Sequence, residues 1–164
     1  MVDKLLVQRI RNVLERIEAY RYGPDLPRQG AKIRWRTTPS FPLSGYPPEV
    51  AALWSCCESA KLFADLEYGQ WGLELLTQEK SSHYTKYFIV ELPSHYRHDD
   101  VVVGAFMGEQ DLLVVAPSES GARQLLVARA MEDRSTWYGV GPDLASFLEN
   151  YLDHAGAKYW ELTR

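Results

Sequence analysis

Cysteine and long apolar runs are scarce in this chain of 164 residues, and each scarcity excludes a class of protein. The two cysteines, Cys56 and Cys57, are adjacent. A disulfide between neighbours is strained, so this pair cannot join distant parts of a fold, and a structural zinc site is excluded because no Cys-x2-Cys motif is present. No apolar run is long enough for a signal-peptide core or a membrane span, so a cytoplasmic location is the default expectation.

Positive charge is also scarce. Lys and Arg number 18 against 22 Asp and Glu, which gives a net charge of -4 and a pI of about 5.6. Proteins that bind nucleic acid draw most of their affinity from a basic field, so nucleic acid is not expected as a direct partner. A mildly acidic surface suits a basic protein partner, although this charge is also ordinary for a cytosolic protein.

Helical periodicity marks both ends of the chain. From residue 3 to 20, apolar residues recur at three- and four-residue steps behind Asp3, a capping residue type. The segment PDLASFLENYLDHAG predicts a second helix, with Pro142 near its start and Gly156 just past its end. Between them, YPPEVAALWSCCE predicts a helix that starts at proline and contains both cysteines.

Strand signals lie in the middle of the chain. Three apolar runs, 101–107, 112–116 and 125–130, are separated by GEQD and SESG, and this pattern predicts an antiparallel meander. Short strands or turns are expected around Leu62 and from Leu73 to Leu76, and a short strand at KIRWRT in the proline-rich loop. The fold class is therefore α+β, a single domain over residues 1–164 with a mainly antiparallel sheet flanked by N- and C-terminal helices.

Residues 95–100, HYRHDD, are the best candidates for a metal site. His95 and His98 with Asp99 and Asp100 would make a metal-dependent hydrolase, which is the remote alternative for function. However, the segment follows Pro93 and precedes a strong strand, so it is expected to form a solvated turn or loop. No further ligands stand out, and no metal site is assigned.

Other catalytic patterns are incomplete. Ser118 and Ser120 lie in PSESGAR, which has turn composition and lacks the Gly-x-Ser-x-Gly elbow. GVGPDL lacks the third glycine and the lysine of a phosphate-binding loop, so it predicts a turn followed by a helix start. The sequence therefore predicts no catalytic residue, no cofactor and no enzyme activity.

Recognition of a protein partner remains as the leading interpretation. Trp54, Trp137 and Trp160 lie on apolar faces and are expected in the core. Tyr68 and Trp71, in EYGQWG, are the best candidates for exposed aromatic anchors, although a core-covering Trp71 is equally consistent with the sequence. With nearby acidic residues they form the candidate partner-binding set: Glu67, Tyr68, Trp71, Asp99, Asp100, Glu109 and Asp111.

Four segments, in order, carry a family resemblance: YPPEVAALWSCCESAKLF, YGQWGLELL, DDVVVGAFMGEQDLLVV and DLASFLENYLDHAGAKYWE. Over roughly residues 46–161 the chain resembles the SMI1/KNR4 family, also called the SUKH superfamily; the N-terminal helix and proline-rich loop, 1–45, lie outside the resemblance. It implies an α+β fold with a bent, mainly antiparallel sheet. Bacterial members are widely immunity proteins that neutralise a cognate toxin, often a nuclease, and fungal relatives act in cell-wall signalling.

The resemblance supplies no catalytic residues to carry over. It implies a cytoplasmic bacterial immunity protein that binds a toxin domain stoichiometrically and occludes its active site. The alternative is a scaffold or regulatory module that binds an endogenous protein.

Overall fold

The computed structural model describes residues 2–26, 29–38, 42–117 and 120–163. Four α-helices and seven strands lie in this part of the chain, with one 3₁₀ helix at Arg134–Thr136 and another at Tyr159–Thr163. In chain order the elements are α1 (Lys4–Glu18), β1 (Gln29–Trp35), α2 (Pro48–Cys56), β2 (Cys57–Asp65), β3 (Leu73–Leu75), α3 (Gln78–Glu91), β4 (Val101–Phe106), β5 (Leu112–Pro117), β6 (Arg123–Ala128), β7 (Tyr138–Gly141) and α4 (Leu144–Asp153).

The strands form one antiparallel sheet whose spatial order is the chain order, β1 to β7. Each strand therefore pairs with the strand that precedes it and the strand that follows it in sequence. The predicted α+β class and the meander of β4, β5 and β6 are confirmed. The SESG turn that was expected between β5 and β6 is described only from Ser120, since residues 118 and 119 lie outside the described residues.

One face of the sheet is covered by α1, α2 and α4, and this layer contains the main core. Asp3 caps α1 as predicted, because its Oδ1 accepts hydrogen bonds from the backbone N–H groups of Leu5 (2.9 Å) and Leu6 (3.2 Å). The apolar stripe is confirmed from Ile10 onwards. Leu5, which belongs to the predicted stripe, is 85% exposed. The buried part of the stripe therefore begins at Ile10 and not at the start of the helix.

The predicted proline-started helix is confirmed, but it ends one residue too early to contain both cysteines. Cys56 is the last residue of α2, whereas Cys57 begins β2 and pairs with Trp35 of β1. The expectation of two helical cysteines is therefore wrong. Both thiols are free and buried, and burial raises the pKa of Cys57 to about 12. The three tryptophans expected in the core are all buried: Trp54, Trp137 and Trp160.

The other face of the sheet is covered by α3 and by the loop that follows it, and the sequence pattern did not predict this helix. Ser81 is the only fully buried residue of α3. Its hydroxyl donates a hydrogen bond to the Val102 carbonyl, and the Val102 N–H donates to the Thr85 hydroxyl at 3.0 Å. Polar side chains thus share the attachment of α3 with apolar ones such as Tyr84 and Phe88, which pack against the cluster on this face. The mixture of polar and apolar residues on the packed face weakens the periodic pattern by which helices are recognised in sequence.

The predicted C-terminal helix, α4, is confirmed together with its start and stop signals. Asp143 caps it by accepting a hydrogen bond from the Ser146 N–H at 2.7 Å, and Gly156 follows it with φ of 80°. Arg9 of α1 reaches across to Glu149 at 2.9 Å. This ion pair joins the helices from the two ends of the described chain.

Candidate functional site

The loop between β2 and β3, residues 66–72, is built on a buried carboxylate. Asp65 is 1% exposed. Its Oδ1 accepts hydrogen bonds from the N–H groups of Glu67 and Tyr68, each at 3.1 Å, and its Oδ2 accepts from the Gln70 N–H at 3.3 Å. Hydrogen bonds to a charged acceptor are stronger than neutral ones, and three of them fix the path of this loop.

The β4–β5 turn, residues 107–111, lies directly against this loop. The Met107 N–H donates to the Gly72 carbonyl at 2.8 Å. Gly108 has φ of 81°, and a Cβ atom at that position would overlap the Gln70 carbonyl group. Only glycine accepts both the left-handed backbone and this close approach. Residues 66–72 and 107–111 therefore form one continuous region, which we call the hairpin-tip surface.

Five of the seven predicted partner-binding residues lie on the hairpin-tip surface. Glu67, Tyr68 and Glu109 are exposed, whereas Trp71 and Asp111 are half-buried. Tyr68 is 62% exposed although it is a large aromatic residue. The sequence was consistent with either an exposed or a core-covering Trp71, and in the structure this side chain is half-buried.

The remaining two predicted residues lie elsewhere. Asp99 is exposed but precedes the first residue of β4, so it is separated from Glu109 by the length of that strand, roughly 17 Å. Asp100 is 1% exposed, and its carboxylate receives two bonds from the Arg134 guanidinium, at 2.5 and 3.0 Å. The expectation that Asp100 belongs to an exposed acidic surface is wrong, because the loop turns its carboxylate inward onto Arg134.

The electrostatics of the hairpin-tip surface are uneven. Glu109 forms an ion pair with Lys158, whose ammonium group also lies 5.3 Å from the ring centre of Phe106. The side-chain hydrogen bond with Glu67 raises the pKa of Tyr68. Because the charge of Glu109 is matched by Lys158, the negative character of this surface depends chiefly on Glu67 and Asp111.

Sequence reasoning missed several residues that shape this end of the sheet. Leu26 and Leu66 are each 46% exposed, and Met131 is 79% exposed. Strand pairing places their loops, before β1, after β2 and after β6, at the same end of the sheet as Tyr68. An apolar residue in a short loop is ordinarily interpreted as core, so the sequence gives no signal for exposure here. A signal did exist for Asp65, an Asx-turn residue type followed by Gly69.

The candidate metal ligands do not converge. His95 lies 3.3 Å from Asp133, and His98 is exposed. Within residues 2–26, 29–38, 42–117 and 120–163, no three His, Cys, Asp or Glu side chains are grouped so that they would hold a metal ion. Ser118 lies outside the described residues, and Ser120 is exposed in the turn before β6.

The GVGPDL segment forms the end of β7 and the capped start of α4, so the predicted helix start is confirmed, whereas its two glycines lie in a strand and not in the expected turn. Comparison of the chain with models of known families, with curated proteins and with solved structures returned no match. None of the helices in the described ranges has both the length and the apolar character that crossing a bilayer requires.

Proposed function

We propose that this protein is a non-catalytic binding domain that engages a protein partner through the hairpin-tip surface. The observation that carries the proposal is the buried Asp65 carboxylate, which holds the loop that exposes Tyr68. Tyrosine is enriched among the residues that dominate binding energy, and a loop that is already ordered loses little conformational entropy on binding. A large exposed aromatic residue on a rigid loop is what such an interface requires.

We further propose that the partner is a bacterial toxin domain, which the protein neutralises by occluding its active site. The SMI1/KNR4 resemblance supports this partner class, and the α+β fold is the one that the resemblance implies. Glu67, next to Tyr68, and Asp111, on the same hairpin-tip surface, would complement a basic cleft such as that of a nuclease. Complementary charge mainly accelerates association, so the rate constant for association is expected to fall as salt rises.

The test compares two exposed tyrosines. Tyr68 is 62% exposed on the hairpin-tip surface, and Tyr87 is 54% exposed on α3. The wild-type protein, Tyr68→Ala and Tyr87→Ala are immobilised, a candidate toxin domain chosen from the genes that neighbour the gene for this protein is passed over each, and affinity is measured by biolayer interferometry. Tyr68→Ala is expected to weaken binding by about tenfold to a hundredfold, and Tyr87→Ala to leave it unchanged.

Urea unfolding of both variants serves as the control, since neither side chain is buried and both should unfold like the wild type. Equal affinity of Tyr68→Ala and wild type for the toxin domain would exclude the hairpin-tip surface as the interface. Binding of an endogenous host protein at this surface, with no affinity for a toxin domain, would instead favour the scaffold or regulatory module.

A further inference from the structure

A pocket of about 250 Å³ lies between α3, the middle strands of the sheet and residues 129–137. It is on the sheet face opposite the main core, where α3 is the only covering helix among the described elements. The pocket shares Glu109 and Gln110 with the hairpin-tip surface, but a small-molecule site here does not depend on the proposed function.

Aromatic rings form a continuous wall of this pocket. Phe88 and Tyr96 are stacked, with ring centres 5.1 Å apart and planes inclined by 26°. Tyr84 stacks on the other side of Phe88 at 6.2 Å and 12°, and Trp137 lies against Tyr96 at 4.9 Å. Because the inner rings stack on one another, the wall presents mainly ring edges to whatever enters, and planar aromatic molecules make favourable edge-to-face contacts with such edges.

A hydrogen bond and a cation–π contact hold the Trp137 ring of this wall in place. The Trp137 indole N–H donates to the Glu132 carbonyl at 3.2 Å, and the Arg134 guanidinium lies 5.0 Å from the centre of the same ring. Arg134 is itself fixed by its two bonds to Asp100. Because these contacts leave Trp137 and Tyr96 only 7% and 6% exposed, the rings are ordered before any ligand arrives.

The charged groups at the pocket are already matched by opposite charges. The two charged residues of the lining have partners in the protein, Arg129 with Glu132 and Glu109 with Lys158, and the His95 imidazole lies 3.3 Å from Asp133. A ligand with its own net charge would have to displace one of these pairs. Burial also raises the pKa of Tyr96, so its hydroxyl remains a neutral group at physiological pH. The lining therefore favours a neutral ligand.

The volume sets the size of the ligand. An apolar cavity of roughly 150 Å³ accommodates a single benzene ring, so a pocket of about 250 Å³ accommodates two fused rings. Met131 also lines the pocket, and its flexible thioether side chain can adjust to the outline of a bound ring. We propose that this pocket is a binding site for a neutral, planar aromatic compound of about the size of indole.

Indole is the probe for the test, titrated into ¹⁵N-labelled protein and followed by amide chemical shifts. We expect saturable binding with a dissociation constant below about 1 mM, and shifts concentrated at pocket residues such as Tyr84, Ala105 and Ala130. Ala105 is a half-buried β4 residue on the pocket wall, so Ala105→Phe places a ring inside the pocket. This variant is expected to weaken indole binding at least about tenfold.

The matched control is Ala122→Phe, the same substitution at an exposed position outside the pocket lining, which should bind indole as the wild type does. Wild-type shifts that do not saturate, or that scatter over the surface without marking the pocket, would overturn the proposal. Equal binding by Ala105→Phe would also overturn it. If Ala105→Phe does not fold, the wild-type shift map alone still decides the matter. Toxin affinity is not part of this test, so its result is independent of the hairpin-tip surface.

Discussion

The two faces of the sheet are stabilised in different ways. Under α1, α2 and α4, residues such as Ile10, Leu14 and Leu148 are fully buried and make a continuous apolar layer. Under α3, the apolar cluster is smaller, and polar links carry part of the attachment: hydroxyl groups of α3 bonded to the Val102 backbone, and Arg134 bonded to Asp100. A face held by a few directional bonds leaves room for a pocket, whereas a face held by close packing does not.

The largest expected effect removes the buried charge of the α3 face. Asp100→Ala leaves the Arg134 guanidinium, only 14% exposed, without its carboxylate, and also removes the acceptor for the Arg97 N–H at 2.8 Å. Breaking a buried ion pair in this way costs about 3–5 kcal/mol. The free energy of unfolding is measured by urea denaturation. Asp99→Ala, at the exposed neighbour, should stay within about 0.5 kcal/mol of wild type, and a similar loss in both variants would contradict the assignment.

A second prediction compares one substitution on the two faces. Leu148, in α4, is fully buried, whereas Leu92, which follows α3, is half-buried. Leu148→Ala leaves a cavity in a closely packed layer and should cost about 3 kcal/mol, and Leu92→Ala, which removes less buried area, about 1 kcal/mol. Urea unfolding curves of the two variants give the comparison directly. Equal losses would mean that the two faces are packed alike.

The smallest effect concerns an ionisable group inside the apolar face. Glu49 of α2 is 5% exposed, and one of its oxygens accepts a hydrogen bond from the Leu144 N–H at 3.0 Å. Burial raises the pKa of Glu49 above its ordinary value of 4.5, so the folded state holds this proton at a pH where the unfolded state has released it. Stability is therefore lost as pH rises from about 4.5 through the raised pKa, by up to about 1.4 kcal/mol per pH unit.

The measurement is the difference in unfolding free energy between the wild type and Glu49→Gln, taken at several pH values. Glutamine keeps an oxygen for the Leu144 N–H and cannot ionise, so the variant should gain stability relative to wild type as pH rises. The difference should then level off once Glu49 is ionised in the folded state. A difference that stays constant between pH 4 and pH 8 would show that the burial of Glu49 has no effect on its titration.

The contrast between the faces also explains what could be predicted from sequence. The helices α1 and α4 bury regular apolar stripes and carry capping residues, Asp3 and Asp143, so their positions follow from spacing and chemistry. The helix α3 places Ser81 and Thr85 among the residues that face the sheet and leaves Tyr87 exposed, so hydrophobicity alternates less clearly along it. Polar residues on the packed face and apolar residues on the exposed face weaken the periodic signal, and the pocket beside this helix was not predicted either.

The candidate site also has a part that could be predicted from sequence and a part that could not. Turn-forming residues predicted the hairpin tip that contains Glu109, whereas strands and turns were both left open on either side of Tyr68. The contact between the tips depends on strand order and on the close approach of Gly108 to Gln70, which local sequence does not encode. The carboxylate of Asp100 turns inward because it binds Arg134, which is 34 positions away. Without knowledge of that partner, the sequence does not show which of the adjacent residues Asp99 and Asp100 is buried.

The sequential order of the strands sets an order of events during synthesis. Each strand can pair with the preceding strand soon after it is made, because the cost of closure rises with loop length and the longest of these connections contain only α2, between β1 and β2, or α3, between β3 and β4. The contact between α1 and α4 is the exception, since Arg9 and Glu149 are 140 positions apart. At a synthesis rate of about 5–20 residues per second, roughly 7 to 28 s pass between the synthesis of α1 and that of α4, its second helical partner. During that interval the nascent chain exposes a surface that a chaperone would bind, and the arrival of α4 ends the exposure.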